Sequence, residues 1–368
     1  MKVHVLPWDG RVEGLGDARG LPLGDGRLGD TLEVALASAT RVEQPLGAWV
    51  FEGGTVIGPH LLAALAELRP ERDTRVRIGG RTGGLLEEIA LGEDPVCVRW
   101  IAGTGDEVEV ELDPDESDLA VPMPGGEDLP LSDRFALRVR HPIQLLWANL
   151  LSLPPRLWRR LAGTGLVAAW RIAAAVLRTR SGRHEDLARA LTRREAGAWV
   201  HPTATVEASV LGPGARVGAG AVVRGSILGA DARVEALAIC EGSVLAQGAV
   251  VQRQALCRYC VLAEGAMLGG AAQLAVFGPR SALKRGSYGM DQGLGQDVRV
   301  RVGEGLRRAP LGLAGPTLGA GTLVGSGVWI APGRMLPPGM VVLGPDPLRN
   351  PEPPDHDGPY RVVDGRLV

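Results

Sequence analysis

The stretch that decides the fold reads Val200-HPTAT-Val206-EASV-Leu211-GPGAR-Val217-GAGAV-Val223-RGSI-Leu228. An aliphatic residue recurs every five or six positions, and the pattern continues to Leu274. A small residue usually follows four places later, as Ala204 and Ala215 do. An α-helix would give a period of 3.6 and a half-buried strand a period of 2, so neither explains this spacing. The repeat predicts a chain that turns a corner about every six residues.

Such a chain forms a triangular prism, with the aliphatic residue inside and the small residue packed beside it near the corner. Leu211, Leu228 and Leu245 are 17 residues apart, so each coil is about one residue shorter than three hexapeptides. A second run, Leu318-GAGTL-Val324-GSGVW-Ile330-APGRM-Leu336-PPGMV-Val342, keeps strict six-residue steps. Segment 199–345 therefore resembles the left-handed parallel β-helix of bacterial hexapeptide transferases, and His201-Pro-Thr-Ala204 is similar to that family's usual first coil.

Composition bounds the remaining possibilities. The chain has 368 residues, which favours two or three domains, and a formal charge of −2, which argues against a general nucleic-acid binder. No export signal precedes Pro7, so we expect a cytoplasmic protein with free thiols. Cys257 and Cys260 have the spacing of a metal or redox motif but lack a second ligand pair. Because Cys260 occupies a small-residue position of the repeat, we predict a core residue and no metal site.

An insertion, predicted at 275–317, separates the two runs and concentrates cations. It contains Lys284 and Arg285 beside Tyr288, and Arg299 and Arg301 within an alternating Val-Arg-Val-Arg-Val segment. The alternation predicts a strand with both arginines on one face. Two interpretations stay open: a solvated loop, or a loop that binds the phosphates of a substrate through these four cations, with Tyr288 packing on a sugar or base.

Residues 1–140 form a different kind of sequence, which predicts a small α/β domain. The predicted strands are 2–6, 46–51, 75–78, 96–101 and 107–112, and the predicted helices are 30–38 and 59–68. The acidic stretch from Asp113 to Asp118 and the glycines that follow are predicted to form a surface loop or a domain edge. The overall expectation is an α+β multidomain chain, with a helical linker at 141–198 and a tail at 346–368.

The linker is predicted to be helical, interrupted at Pro154-Pro155. Residues 161–177 are apolar except for Thr164 and Arg171, and arginines flank them. Three interpretations remain open for 156–180: packing on the β-helix or on a neighbouring subunit, which we favour; a basic helix on an anionic membrane surface; or a membrane span, for which the apolar run is short.

The order of these segments resembles the bifunctional N-acetylglucosamine-1-phosphate uridylyltransferases/glucosamine-1-phosphate acetyltransferases and their shorter sugar-nucleotidyltransferase relatives. Pro142, Leu145 and Asn149 match the family's linker motif, whereas Ile143 and Gln144 replace its Trp and Asp. The resemblance implies a transferase of cell-envelope metabolism that moves a nucleotidyl or acyl group to a phosphorylated or nucleotide-linked sugar. It also implies a homotrimer, for which the small residues Ala219, Ala230 and Ala246 would permit close approach.

The sequence departs from this family at both expected active sites. At the nucleotidyltransferase site, the glycine-rich segment from Gly14 to Asp25 contains Arg19, which could bind a triphosphate, but it contains no lysine. Asp17 and Asp25 would repel phosphates unless they held Mg²⁺. Residues 202–343 contain no histidine to serve as the acyltransferase base, which leaves Glu264 or Asp291 as replacements. The catalytic residues are therefore unknown from the sequence.

The resemblance places the acetyl-CoA or other acyl-CoA groove between late coils of adjacent subunits, around 318–340, where Gly325, Gly327 and Trp329 would line it. The missing residues also support a second interpretation, in which the protein is a catalytically inactive trimer that binds a sugar nucleotide or serves as a scaffold. No nucleic-acid partner is expected.

Overall fold

The computed structural model describes residues 1–7, 11–13, 15–17, 21–23, 26–27, 40–41, 43–44, 46–52, 55–58, 61–78, 80–94, 98–112, 116–122, 128–132, 135–163, 165–344, 362–363 and 366–367. The predicted helix at 30–38 and nearly all of the predicted tail lie outside these residues.

The N-terminal region contains a mixed six-stranded sheet and two helices. The strands, in spatial order, are Glu107–Leu112, Asp73–Ile78, Val98–Ile101, Ala48–Phe51, Lys2–Val5 and Thr40–Arg41. Helices α1 (Leu61–Leu68) and α2 (Gly80–Ile89) pack beside it. The α/β prediction is confirmed, and the predicted strands are present with ends shifted by at most two residues.

Short antiparallel strand pairs complete the described part of this region and of the tail. They are Arg11–Val12 with Gly16–Asp17, Pro22–Leu23 with Gly26–Arg27, Thr55–Ile57 with Ala136–Arg138, Glu116–Pro122 with Asp128–Ser132, and Val362–Val363 with Arg366–Leu367. The loop predicted across the acidic stretch is thus wrong for Glu116–Pro122, because this segment pairs with a strand that lies beyond the predicted loop; Asp113 to Asp115 and the glycines after Pro122 lie outside the described residues.

Three helices form the linker: α3 (Pro142–Leu161), α4 (Gly165–Thr179) and α5 (His184–Leu191). The predicted interruption at Pro154-Pro155 is wrong, because α3 runs through both prolines. Proline removes the hydrogen bond to the carbonyl four residues earlier. The helix continues because Leu153, Leu157 and Leu161 are buried against the prism, in a cluster with Val210, Ile227 and Val244.

The remainder of the described chain is a left-handed prism of three parallel sheets with eight, eight and seven strands. Face 1 contains Arg193–Arg194, Val210–Leu211, Ile227–Leu228, Val244–Leu245, Val261–Leu262, Val276–Phe277, Thr317–Leu318 and Met335–Leu336. Face 2 contains Trp199–Val200, Arg216–Val217, Arg233–Val234, Val250–Val251, Met267–Leu268, Ala282–Leu283, Leu323–Val324 and Val341–Val342. Face 3 contains Thr205–Glu207, Val222–Arg224, Ile239–Glu241, Leu256–Arg258, Ala271–Gln273, Tyr288–Gly289 and Trp329–Ile330.

Equivalent residues of successive coils stack directly on one another. Leu211 pairs with Leu228 and Leu228 with Leu245, and all three are at most 1% exposed. Polar residues form columns too: the backbone N–H of Ser226 donates to Oγ of Ser209, and the pattern repeats in the next coils with Ser243. The coils are therefore joined by side-chain as well as backbone hydrogen bonds.

The segment that leaves the prism is shorter than the predicted insertion at 275–317. Residues 275–289 continue the coils, and only 290–316 depart before the chain returns at Thr317. This segment carries a hairpin, Arg299–Val302 paired with Gly305–Arg308, and a short 3-10 turn at Pro310–Gly312. The predicted start of the insertion is too early because the preceding coil has a corner of only two residues, Gly269 and Gly270. This short corner disturbs the sequence period, but the prism continues.

One of the hydrophobic clusters joins the three regions, while the prism and the N-terminal sheet each have a core of their own. Face 1 is covered by α3, and Val298 and Val300 of the departing segment lie in the same cluster as Leu86 of α2 and Leu146 of α3. Among the described helices, no single one is long and apolar enough to span a membrane; α3 and α4 meet that criterion only together, across a 74° bend.

Candidate ligand-binding site at a corner of the prism

The corner between faces 2 and 3 changes length at one coil. Four residues form this corner in most coils, as in Gln252–Ala255 and in 284–287, but only Gly269 and Gly270 form it between them. A two-residue corner extends less far from the strands than a four-residue one. We call the resulting indentation the Gly269–Gly270 notch. Its flanking corners are two coils apart, about 10 Å at the usual strand spacing.

Close backbone packing requires glycine at this notch. A Cβ built on Gly270 would lie 1.9 Å from the carbonyl oxygen of Ser287 in the next coil. The Ser287 hydroxyl in turn donates to the carbonyl oxygen of Gly325 at 2.7 Å and accepts from the N–H of Val328 at 3.2 Å. Three successive corners are therefore held in fixed register, which gives the notch a rigid wall.

The wall carries two predicted site residues, Lys284 and Arg285. Both are exposed, and within the described part of the chain neither side chain forms an ion pair. Arg253 is exposed on the corner at the opposite side of the notch. Cations without a carboxylate partner keep their full charge for a ligand, so this corner suits an anion.

Two aromatic side chains lie beside the same corner. Tyr288 and Trp329 occupy equivalent positions in consecutive coils of face 3, with ring centroids 6.3 Å apart and planes inclined by 50°. They are 43% and 73% exposed. Gly327, in the turn that precedes Trp329, has a φ of +75°, a conformation that favours glycine. The structure thus brings together Lys284, Arg285, Tyr288 and the predicted cofactor residues Gly325, Gly327 and Trp329.

Arg299 and Arg301 lie elsewhere. Both are exposed on one side of the hairpin strand, as the alternation predicts, while Val300 between them is 3% exposed. The carbonyl of Arg299 packs near Gly333, at the corner between faces 3 and 1. Face 3 therefore separates these arginines from the notch, and no described hydrogen bond, ion pair or ring contact joins the two groups.

Other cations of the hairpin hold it on the N-terminal region. Arg308 donates to Asp297 at 2.7 Å and to Glu88 of α2 at 2.9 Å, and Glu88 also accepts from the N–H of Leu311. The Arg308 guanidinium lowers the pKa of Asp297. Arg308 therefore holds the hairpin against the N-terminal region, and its charge is already paired with two carboxylates.

The predicted bases differ in their surroundings. Asp291 is 9% exposed and accepts from Nε2 of Gln273 at 3.0 Å, and burial raises its pKa. Glu264 is exposed at the corner between faces 1 and 2, away from the notch. His201 belongs to the first coil, where it bonds to Thr203. Of the two predicted bases, Asp291 is the nearer to Tyr288 in the chain, and it lies where the departing segment leaves the prism, at the corner between faces 3 and 1.

The cysteines of the prism are buried. Cys240, Cys257 and Cys260 have at most 1% exposure, and Cys260 donates to the carbonyl oxygens of Arg258 and Ala272. Burial raises the pKa of the Cys260 thiol well above its ordinary value. No group of three or more His, Cys, Asp and Glu side chains that could hold a metal ion occurs in the described ranges.

The predicted nucleotide loop is described only in part. Arg19 and Asp25 lie outside the described residues, and Asp17 belongs to a two-residue strand. A residue of the linker motif contacts this loop: Nδ2 of Asn149 donates a hydrogen bond to the carbonyl oxygen of Pro22 at 3.1 Å. Asn149 therefore anchors the end of this loop to α3.

Sequence reasoning missed the notch and the contribution of Arg253. The signal was available, because Leu262 and Phe277 are equivalent residues only 15 positions apart, where the other early coils use 17. Two adjacent glycines at the shortened corner mark the place.

Comparisons with known proteins give the following. No family model matches the chain, and no curated protein does. Among solved structures, a hexapeptide transferase family protein from Anaplasma phagocytophilum is 15% identical, over 42% of this chain and 70% of that one, with a TM-score of 0.21. The acetyltransferase domain of PglB from Neisseria gonorrhoeae is 18% identical, and the match covers 74% of this chain and 96% of that one, with a TM-score of 0.20. Perosamine N-acetyltransferase from Caulobacter crescentus is 17% identical, over 73% and 92%, with a TM-score of 0.14. At these values the matches assign no activity to this chain.

Proposed function

We propose that the protein is a hexapeptide-type transferase that binds a phosphate-bearing substrate, an acyl-CoA or a sugar nucleotide, beside the Gly269–Gly270 notch. The observation that carries the proposal is the pair Lys284 and Arg285, two exposed cations that form no ion pair with any described residue, next to the aromatic pair Tyr288 and Trp329. Such cations bind phosphates through charge-assisted hydrogen bonds. The aromatic rings offer a surface for a base or sugar.

The activity we propose is acyl transfer from acyl-CoA to an amine or hydroxyl group of the sugar. The new bond to the carbonyl carbon forms as the C–S bond breaks, and a base must take the proton of the attacking group and return it to the departing thiolate. We assign this role to Asp291, which lies at the corner between faces 3 and 1, so the substrate would extend along face 3 from the notch to that corner. Burial raises its pKa toward the range in which a general base works efficiently. Nucleotidyl transfer with Mg²⁺ in residues 1–140 stays a prediction of the family resemblance.

Binding is tested by thermal shift and calorimetry with acetyl-CoA and with UDP-N-acetylglucosamine. A ligand at 100 times its Kd stabilises the fold by about 2.7 kcal/mol. We expect the double variant Lys284→Glu/Arg285→Glu to weaken binding at least about tenfold, since it replaces two attractions by two repulsions. The matched control is Arg216→Glu/Arg233→Glu, which makes the same charge change on exposed positions of face 2.

A third double variant, Arg299→Glu/Arg301→Glu, distinguishes the two candidate sites. Unchanged affinity is expected because these arginines lie across face 3 from the notch. Loss of binding in this variant alone would show that the site is at the hairpin. If the face 2 control lost as much affinity as Lys284→Glu/Arg285→Glu, the charges would act only at long range and not through contact with the ligand.

Turnover is tested by chromatography of the CoA released from acetyl-CoA in the presence of amino sugars and their nucleotides. Asp291→Asn should keep binding and lose turnover, because the amide cannot accept the proton. Binding without turnover in the parent protein would favour the alternative, a catalytically inactive sugar-nucleotide-binding or scaffold protein. That alternative is favoured by the absence of histidine from residues 202–343.

A further inference from the structure

Helix α4 is apolar on the side that faces away from the molecule. It packs through Ala168 and Ala175, which are buried. On the opposite side, Leu166, Trp170, Ala173 and Leu177 follow the i, i+4, i+7, i+11 spacing of one helix face. Leu166 is 90% exposed, Trp170 72% and Leu177 78%. A surface helix normally carries polar residues there, so this face lacks the partner that its composition requires.

The charge around this face is mostly positive. Residues 156–195 contain ten arginines against three acidic residues, Glu185, Asp186 and Glu195, and Glu195 is paired with Arg160 at 3.1 Å. Arg171 and Arg178 are seven residues apart, so they lie on one side of α4, between its exposed apolar face and its buried side. They donate to the carbonyl oxygens of Leu161 and Ala190, which are uncharged, so their positive charge is not neutralised there. An anionic partner would complement this surface.

A second exposed tryptophan lies just before α4. Trp158, in the last turn of α3, is 50% exposed, although most of α3 is buried. Tryptophan is enriched where an apolar phase meets water, because the ring is apolar and its N–H is polar. Trp158 and Trp170 thus accompany the apolar face with the residue type that membrane interfaces favour.

We propose that α4 and the last turn of α3 bind the surface of an anionic phospholipid bilayer. Helix α4 lies in the plane of the interface, with Leu166, Trp170 and Leu177 among the acyl chains and the arginines at the phosphates. A second copy of the chain is the weaker partner, because it would bring two surfaces of like charge together. Helix α3 does not insert, since its apolar residues already pack against the prism and the N-terminal region.

Co-sedimentation with vesicles tests the proposal on the full chain. Vesicles of phosphatidylcholine alone are compared with vesicles in which about one third of the lipid is phosphatidylglycerol, a mixture whose anionic headgroups attract basic segments. Binding is expected only to the anionic vesicles. It should weaken in concentrated salt, because the Debye length falls from about 10 Å at 0.1 M to about 3 Å at 1 M.

Two double variants separate the apolar and the electrostatic contributions. Trp170→Glu/Leu177→Glu should lower vesicle affinity more than tenfold, and Arg171→Glu/Arg178→Glu should do the same, since each cation near the surface contributes about fivefold. The matched controls are Leu294→Glu, at a side chain 99% exposed in the departing segment, and Arg216→Glu/Arg233→Glu on face 2. Both controls should bind like the parent.

The proposal is overturned if the parent stays in the supernatant with anionic vesicles, or if the controls lose as much affinity as the α4 variants. It is also overturned if Trp170→Glu/Leu177→Glu converts a larger oligomer into a smaller one by light scattering while the parent binds no vesicles. In that case the apolar face of α4 is a contact between copies of the chain.

Discussion

The imidazole of His141 connects the start of α3 to the hairpin of the departing segment. Its Nε2 donates to the carbonyl oxygen of Arg301 at 3.0 Å, and its Nδ1 accepts from the backbone N–H of Ile143 at 3.2 Å. Since Nδ1 is an acceptor, the ring is neutral with its proton on Nε2. One side chain thus caps a helix and holds a segment 160 residues away.

This geometry predicts a pH dependence of stability. Burial lowers the pKa of His141 below its ordinary 6.5, although Glu13 and Glu93 oppose the shift. The unfolded chain therefore binds a proton more readily than the folded one, and the free energy of unfolding falls as the pH drops below 6.5. Urea unfolding at about pH 7.5 and about pH 5 measures the difference.

The variant His141→Gln should lose about 1–3 kcal/mol at neutral pH, because one amide cannot replace both ring contacts. It should also lose this part of the pH dependence. His184→Gln is the control, since that side chain is 91% exposed. An unchanged pH profile in His141→Gln would show that other groups cause it.

Cys260 tests the register of the prism. Its thiol is 1% exposed, so Cys260→Ala should cost about 1 kcal/mol, whereas Cys260→Arg should prevent folding by burying an unpaired charge. In a Cys97→Ser background, a thiol reagent should label the native protein only as fast as the prism opens. Immediate labelling of native Cys260 would mean that its coil is placed in the wrong register.

Gly270 tests the notch. Alanine at this position would place a Cβ against the carbonyl of Ser287 in the next coil, where only backbone movement can relieve the clash. We expect Gly270→Ala to destabilise the protein by about 3 kcal/mol or more. Gly182→Ala, with nothing within 4 Å of the new methyl group, should be nearly neutral. Equal melting temperatures for the two variants would contradict the close approach of these coils.

The homotrimer stays a prediction. The structure does not favour a subunit contact through Ala219, Ala230 and Ala246, the residues suggested by the sequence. Ala230 and Ala246 lie at the corner between faces 1 and 2, and Ala219 at the next corner, so these residues do not share one face. Face 1 is covered by α3, whereas face 3 presents a half-buried apolar column that includes Ile239.

We therefore expect contact through face 3 and a mass of three times 38.6 kDa by light scattering. Ile239→Glu should dissociate the trimer, because it would bury a charge. Val250→Glu, at an equally half-buried position of face 2, should not. A monomeric parent protein would refute the prediction.

The sequence by itself determined the prism. A period near six allows one arrangement, in which Leu211, Leu228 and Leu245 stack inside, because any slip would turn a row of aliphatic side chains outward. It also located the strands of the N-terminal region, such as 107–112, and the exposed face of Arg299 and Arg301. These features follow from local periodicity, which a sequence displays directly.

Only the tertiary structure decided which residues share a site. The distance between Tyr288 and Trp329 depends on where residues 290–316 leave and rejoin the prism, and no local pattern fixes those points. The structure alone shows that α3 passes through two prolines and that Arg308 is bound by Glu88. The outward apolar face of α4 was also undecided, because one amphipathic sequence suits a protein core, a neighbouring subunit or a membrane. Which of these it meets depends on the surfaces that the rest of the chain leaves uncovered.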